Sequence, residues 1–225
     1  MKKSILIAFF SVCTIAVFAQ KKVTENYKLA LNQSIQLDLR FAEKIQLQQW
    51  DKNELGISAT VDIDRGAGND AFKLKATSSG NSFIVKDDYG NYLEQRKNTH
   101  TNIEISYVIY VPQNAAVFLK SISGNLEAPR FIGQLKTELV SGNVEIKSYQ
   151  GTLELKTVSG NLDIVVSKAE VDAKTVTGVI YSNLDIAIPE KEKRGVGSHI
   201  RGQVNDGKDL LRLETVSGNI YMRKG

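Results

Sequence analysis

The 225-residue chain carries 29 basic and 25 acidic side chains, two histidines and one cysteine. Setting aside Lys2 and Lys3 of the leader leaves 27 basic against 25 acidic groups, a net of +2, which excludes nucleic acid as a partner selected by bulk charge. A single cysteine excludes a disulfide framework, so stability has to come from burial and backbone pairing.

Residues 1–19 form the first predicted element. Lys2 and Lys3 precede an apolar run from Ile5 to Ala19, and Val17-Phe18-Ala19 offers a small residue before a cut at Gln20. These are the marks of a secretory signal peptide. Ser11, Cys13 and Thr14 interrupt the run, which is shorter than the roughly 20 apolar residues a membrane span needs. Cys13 follows Phe10-Ser11-Val12 and lacks the small residue expected before a lipidated cysteine. The mature chain is therefore expected to be exported, to the periplasm or to the cell surface and medium. No integral membrane segment is expected after signal removal.

Residues 20–112 are predicted as an N-terminal β region. Apolar and polar residues alternate at Ile35, Leu37 and Leu39, then from Leu55 to Ile63, then from Ile103 to Val111. Alternation marks half-buried strands. Turn signals separate them at Trp50–Asn53, Gly66–Asp70, Ser78–Ser82 and Asp87–Asn91. The segment reads as degenerate coils or a sandwich-like cap. Within it, RGAGNDAF (65–72) resembles a single calcium-binding nonapeptide, with Asp70 as a weak metal candidate. Such sites draw oxygens from consecutive turns, and only one copy is present, so a structural turn is expected.

Residues 113–225 restate one motif. SISGNLEA, LVSGNVEI, TVSGNLDI and TVTGVIYS recur at 18-residue intervals, and TVSGNIYM returns at 215–222. Aligned on Gly124, Gly142, Gly160, Gly178 and Gly218, aliphatic columns stand seven, five and two residues before the glycine and two after it. Lys120, Glu138, Lys156, Lys174 and Glu214 form a charged column between them. The pattern predicts an all-β, single-stranded β-helix or β-solenoid with 18-residue coils and right-handed winding. The glycines, with Asn125, Asn143, Asn161 and Asn219 beside them, are predicted as structural turns, the glycine at positive φ and the asparagines stacked as a ladder. About five aliphatic side chains per coil would contribute roughly 8–15 kcal/mol, less than the cost of ordering 18 residues at over about 1 kcal/mol each. Coils must therefore stack to be stable. Gly178 and Gly218 stand 40 residues apart, two periods plus four. Pro189 and the charge run after it place an extruded loop at about 189–199.

The strand ending at Val111-Pro112, then Val117, Leu119 and the repeated SGN turns, resembles the putative-adhesin β-strand-repeat family of secreted bacterial proteins. IQLQQWDKNELGISA (45–59) resembles that family's entry strands. The resemblance implies a β-solenoid, export and no catalytic residues. It assigns no binding residue.

No catalytic or cofactor site is expected. His100 and His199 lack ligand spacing, and no serine stands in a nucleophile elbow. Glu127, Glu145 and Asp163, three residues after successive glycines, are the remaining weak metal candidates. Stacked like charges repel. Lys147, or Lys156 and Lys174 from the adjoining strand, are expected to relieve them. Tyr181 and Tyr221 share one column that could stack a sugar ring or cover a neighbouring coil. Two function classes follow. One is a non-enzymatic, adhesin-like scaffold or surface-interaction module of the bacterial envelope, whose unknown envelope or extracellular ligand is a protein or a glycan. The alternative is a glycan-binding or glycan-active envelope protein.

Overall fold

The computed structural model describes residues 20–97, 99–186 and 197–225. The leader, and 189–196 of the expected loop, lie outside the described residues. The N-terminal region contributes β1 (Lys21–Lys28), β2 (Ser34–Asp38), β3 (Phe41–Trp50), β4 (Glu54–Ile63), β5 (Lys73–Ser79), β6 (Ser82–Asp88) and β7 (Ile103–Pro112). The repeat region contributes β8 (Ala116–Ala128), β9 (Phe131–Ser141), β10 (Val144–Ile146), β11 (Tyr149–Ser159), β12 (Leu162–Val166), β13 (Ala169–Thr175), β14 (Ile180–Ser182), β15 (Ser198–Val204), β16 (Leu210–Ser217) and β17 (Ile220–Lys224). The only α-helix among the described residues is one turn, α1 (Tyr92–Gln95).

Pairing arranges these strands in two rows. The first runs β5-β6-β2-β8-β9-β11-β16-β13-β15. The second runs β1-β4-β7-β3-β8-β10-β12-β17-β14. The rows share β8, whose first half pairs with β2 and whose second half, beyond the bend at Gly124, pairs with β3. They form one open sheet of 17 strands. Of its four outer strands, β1, β5 and β15 are rich in Lys, Thr, Ser and other polar residues and β14 is only three residues long, features that discourage edge-to-edge association.

Period-2 alternation explains the core. In the first row Leu37, Leu119, Thr137, Leu155, Leu213 and Ala173 stack inward, each 0% exposed. In the second row Ile45, Leu126, Val144, Leu162 and Ile220 stack inward, each at most 1% exposed. Apart from Thr137, both sets belong to one continuous buried cluster. Thr137 is the chemical exception. Its Oγ1 is buried and has no hydrogen-bond partner among the described residues. An unmet buried hydroxyl costs about 1–3 kcal/mol, so Thr137→Val, which keeps the shape, is expected to raise the unfolding midpoint. A lowered midpoint in a denaturant titration contradicts that assignment.

The core departs from expectation in one column. Ile122, Val140, Val158, Val216 and Val176, two residues before each glycine, face outward and are 37–51% exposed. They share parity with the Lys120 column, so the alternation that buries Leu119 and Ser121 has to expose them.

Rung order departs as well. β9 lies 18 residues from β8, and β11 lies 18 from β9, in register. The last repeat does not follow the fourth. β16 lies between β11 and β13, and β17 lies between β12 and β14. The 40-residue step accommodates β15, which runs antiparallel along the far side of β13. Ser198 and His199, placed by the sequence in the loop, open this strand.

Candidate functional site

Each corner between the rows is set by glycine. Gly124, Gly142, Gly160 and Gly218 have φ of 135°, 150°, 155° and 159°. A Cβ at Gly160 would fall on the Gly142 carbonyl oxygen of the rung below. Beside the glycines, Asn143 donates its backbone N–H to Asn125 Oδ1 at 3.0 Å, Asn161 to Asn143 Oδ1 at 2.8 Å, and Asn219 to Asn161 Oδ1 at 2.8 Å. The ladder ends where Val179 donates to Asn219 Oδ1 at 2.9 Å. Gly178 is not among the positive-φ glycines. Val179 stands in place of the asparagine, the Gly178 N–H donates to Thr175 Oγ1, and close approach to the Gly218 carbonyl accounts for the missing side chain at Gly178.

These corners hold three outward columns on the first row, and rung order decides their chemistry. Read along the stack, one column is Lys86, Asp38, Lys120, Glu138, Lys156, Glu214, Lys174, so the sign alternates at every step. Lys86–Asp38, Lys120–Glu138 and Lys156–Glu214 make ion pairs of 3.3, 3.3 and 3.0 Å. The next column, Lys136, Glu154, Arg212, Asp172, Arg201, alternates in the same way. Stacked in chain order, Glu154 would oppose Asp172 and Lys156 would oppose Lys174. Opposed like charges are unfavourable, and inserting β16 removes both conflicts. His199 joins here, its Nε2 lying 2.8 Å from Asp172 Oδ1. Burial pushes the Asp172 carboxyl up, but hydrogen bonds from His199 and Arg201 outweigh it and hold it below the usual carboxylate range.

The third column is the exposed aliphatic strip from Ile122 to Val176. With the charged column beside it, the strip lines an open groove of about 740 Å³ that runs along the stack from Arg40 to Val176. At the Arg40 end, Arg40 Nε lies 3.3 Å from Asp87 Oδ1, and Tyr89 donates to Asp87 Oδ2 at 2.8 Å. Burial raises the Asp87 carboxyl above its ordinary range in spite of these partners. The alternation of apolar and charged columns was legible in the sequence. That the strip is a surface feature was not inferred, although the shared parity with Lys120 was the signal that could have shown it.

The four candidate metal ligands do not form one cluster. Asp70, exposed in the 3-10 turn Asn69–Ala71, pairs with Lys21 at 3.0 Å. That turn is tied by Asn69 Oδ1 accepting from Ile63 N–H at 2.7 Å and by Asp62 accepting from Gly66 N–H at 2.9 Å. Glu127, Glu145 and Asp163 do stack in one column. Each has its own cation: Lys44 at 2.7 Å, Lys147 at 3.4 Å and Arg223 at 2.7 Å. Lys156 and Lys174 stand in an outward column of the first row, away from these carboxylates. Among the described residues no group of three His, Cys, Asp or Glu side chains is placed to hold a metal. The thermal midpoint is therefore expected to be the same in calcium and in chelator at matched ionic strength. A calcium-dependent rise abolished by Glu145→Gln contradicts this pairing. Tyr181 and Tyr221 close the column, stacked on each other with centroids 5.1 Å apart.

The architecture matches that of a solved structure. A protein described as a putative cell adhesion protein from Clostridium sporogenes superposes with a TM-score of 0.62 at 11% identity, over 92% of this chain and 100% of that one. A putative adhesin from Bacteroides fragilis aligns with a TM-score of 0.29 at 13% identity, over 91% and 97% of the two chains. At these identities the first likeness establishes the fold alone. No curated protein matches the sequence. The sequence model of the Toastrack DUF4097 family matches residues 97–223, more than half of the chain, and the protein belongs to that family.

Proposed function

We propose that the protein is an exported, non-enzymatic scaffold, an adhesin-like surface-interaction module of the bacterial envelope, and that it makes contact through the aliphatic strip of the first row. In this reading the first four repeats of residues 113–225 wind as right-handed coils of 18 residues, and residues 20–112 cap the stack. One observation carries the reading. Five β-branched side chains from successive rungs stand in water as a continuous strip, flanked by charges that already neutralise one another. A contiguous exposed apolar strip rimmed by polar groups marks a contact surface. The lateral ion pairing also supports a scaffold over a catalyst, because the carboxylates of the groove are held by lysines and not poised against each other. The leader supports export.

The test compares two exposed substitutions for binding of residues 20–225 to bacterial envelope preparations. Val158→Glu puts a charge in the middle of the strip and is expected to reduce binding at least tenfold, with the far-UV circular dichroism unchanged. Tyr181→Ala is expected to leave binding intact. The reverse pattern, with loss only for Tyr181→Ala, would transfer the function to the tyrosine column and to glycan recognition. Protease added outside intact cells separates a surface location from a periplasmic one.

A further inference from the structure

We propose that the partner seated on the aliphatic strip is a second copy of this chain, docked about a two-fold axis that runs parallel to the strands between the Glu138 and Lys156 rungs. The inference rests on the strip being an interaction surface, and it names the occupant.

The argument starts from the alternating charges. Asp38, Lys120, Glu138, Lys156, Glu214 and Lys174 occupy six consecutive rungs with alternating sign. A row of six alternating charges, reversed end to end, is the same row with every sign exchanged. A two-fold axis along the strand direction performs that reversal. It brings the two outward faces together, keeps each column opposite its own copy and inverts rung order. With the axis between Glu138 and Lys156, Glu138 meets Lys156, Lys120 meets Glu214 and Asp38 meets Lys174. An axis passing through a rung would instead set like charges opposite one another. An axis between Lys120 and Glu138 would also oppose six charges, with Lys86 taking the place of Lys174, but it would set the Val158 rung against the Asp38 rung and leave only Ile122 and Val140 meeting within the strip.

The neighbouring columns obey the same operation. Lys136 meets Glu154, and Phe118 meets the Arg212 guanidinium, a cation–π arrangement. In the strip, Val140 meets Val158 and Ile122 meets Val216. Such an interface is isologous, the same patch on both subunits, as closed dimers require. Six rungs at about 4.8 Å and seven residues of strand at about 3.3 Å give a face of roughly 29 by 23 Å, on the order of 670 Å² per copy. Stable interfaces bury about 800 Å² per partner, so a reversible, concentration-dependent dimer is expected. Burying charges is costly when they are unpaired. Here Lys120–Glu138 and Lys156–Glu214 are already paired within each copy at 3.3 and 3.0 Å, which lowers that cost.

The experiment exploits the absence of cysteine from residues 20–225. Val140→Cys and Val158→Cys chains are mixed and oxidised, and Val176→Cys is oxidised alone. Mixed 140–158 disulfides are expected to form at least tenfold faster than 176–176 disulfides, because the two copies of Val176 lie at opposite ends of the interface. Sedimentation velocity of the native chain is expected to show a monomer–dimer equilibrium that Val158→Glu abolishes. Circular dichroism of each variant confirms that it is folded. Equal disulfide rates for the two cases overturn the axis. A native chain monomeric at every concentration reached overturns the second copy. If that monomer sediments with phosphatidylglycerol vesicles, the strip belongs to a lipid surface instead. The failures are distinguishable: a monomer whose envelope binding is still lost in Val158→Glu leaves the contact surface standing and removes only this partner.

Discussion

Deleting residues 207–225 collapses the C-terminal half of the stack instead of trimming its end. Strands β16 and β17 lie inside the fold, between the third and fourth repeats. Leu211, Leu213, Ile220 and Met222 are each at most 1% exposed. At about 1.5–3 kcal/mol per buried side chain, their loss removes roughly 6–12 kcal/mol, comparable with the 5–15 kcal/mol that holds a whole domain together. β13 would keep only antiparallel β15 as a neighbour in its row. It cannot simply close onto β11, since that register opposes Glu154 to Asp172 and Lys156 to Lys174. Hydrogen exchange of the truncated chain is expected to show residues 169–186 and 197–204 unprotected while strands β2 to β9 stay partly protected. An unchanged thermal midpoint would contradict the insertion.

Gly160→Val carries the second large effect. Gly160 has φ of 155° in a region closed to branched side chains, and its Cβ would meet the Gly142 carbonyl, a backbone atom fixed by its own rung. The backbone term alone costs about 1–3 kcal/mol. Displacing a hydrogen-bonded rung adds to it, so a total above about 4 kcal/mol is expected, the range reached only by a few specific mechanisms. Lys156→Ala is the control. It loses one lateral ion pair of 3.0 Å between half-exposed side chains, worth about 0–1 kcal/mol. Equal denaturant midpoints for the two variants would remove the steric role assigned to the corner.

The columns were readable because an 18-residue period places like residues in register. The glycine corner and the asparagine ladder follow from that register, and the ladder runs through Asn125, Asn143, Asn161 and Asn219. Periodicity says which residues share a column and is silent on the order of rungs within it. The information lay in charge signs. Lys120, Glu138, Lys156, Lys174, Glu214 in chain order contains one like pair, and moving the last residue one place removes it. The N-terminal strands were visible from alternation at Leu55–Ile63 and Ile103–Val111, but the antiparallel pairing of β4 with β7 is non-local and leaves no mark in either segment. The aliphatic strip was misread because valine was counted as core by type, where its position two residues from Lys120 set its direction.

Rung order is the claim on which both the alternating charges and the proposed interface depend, and a pair of engineered disulfides tests it. Lys156 and Glu214 are in-register neighbours, about 4.8 Å apart across the ladder, within the roughly 7 Å Cα separation a disulfide tolerates. Lys156 and Lys174 stand two rungs apart, at about 9.6 Å. Oxidation of the folded Lys156→Cys/Glu214→Cys chain is predicted to yield an intramolecular disulfide. The Lys156→Cys/Lys174→Cys chain is predicted to keep two free thiols under the same conditions. A disulfide in the second chain and free thiols in the first would show the coils stacked in chain order and contradict the account.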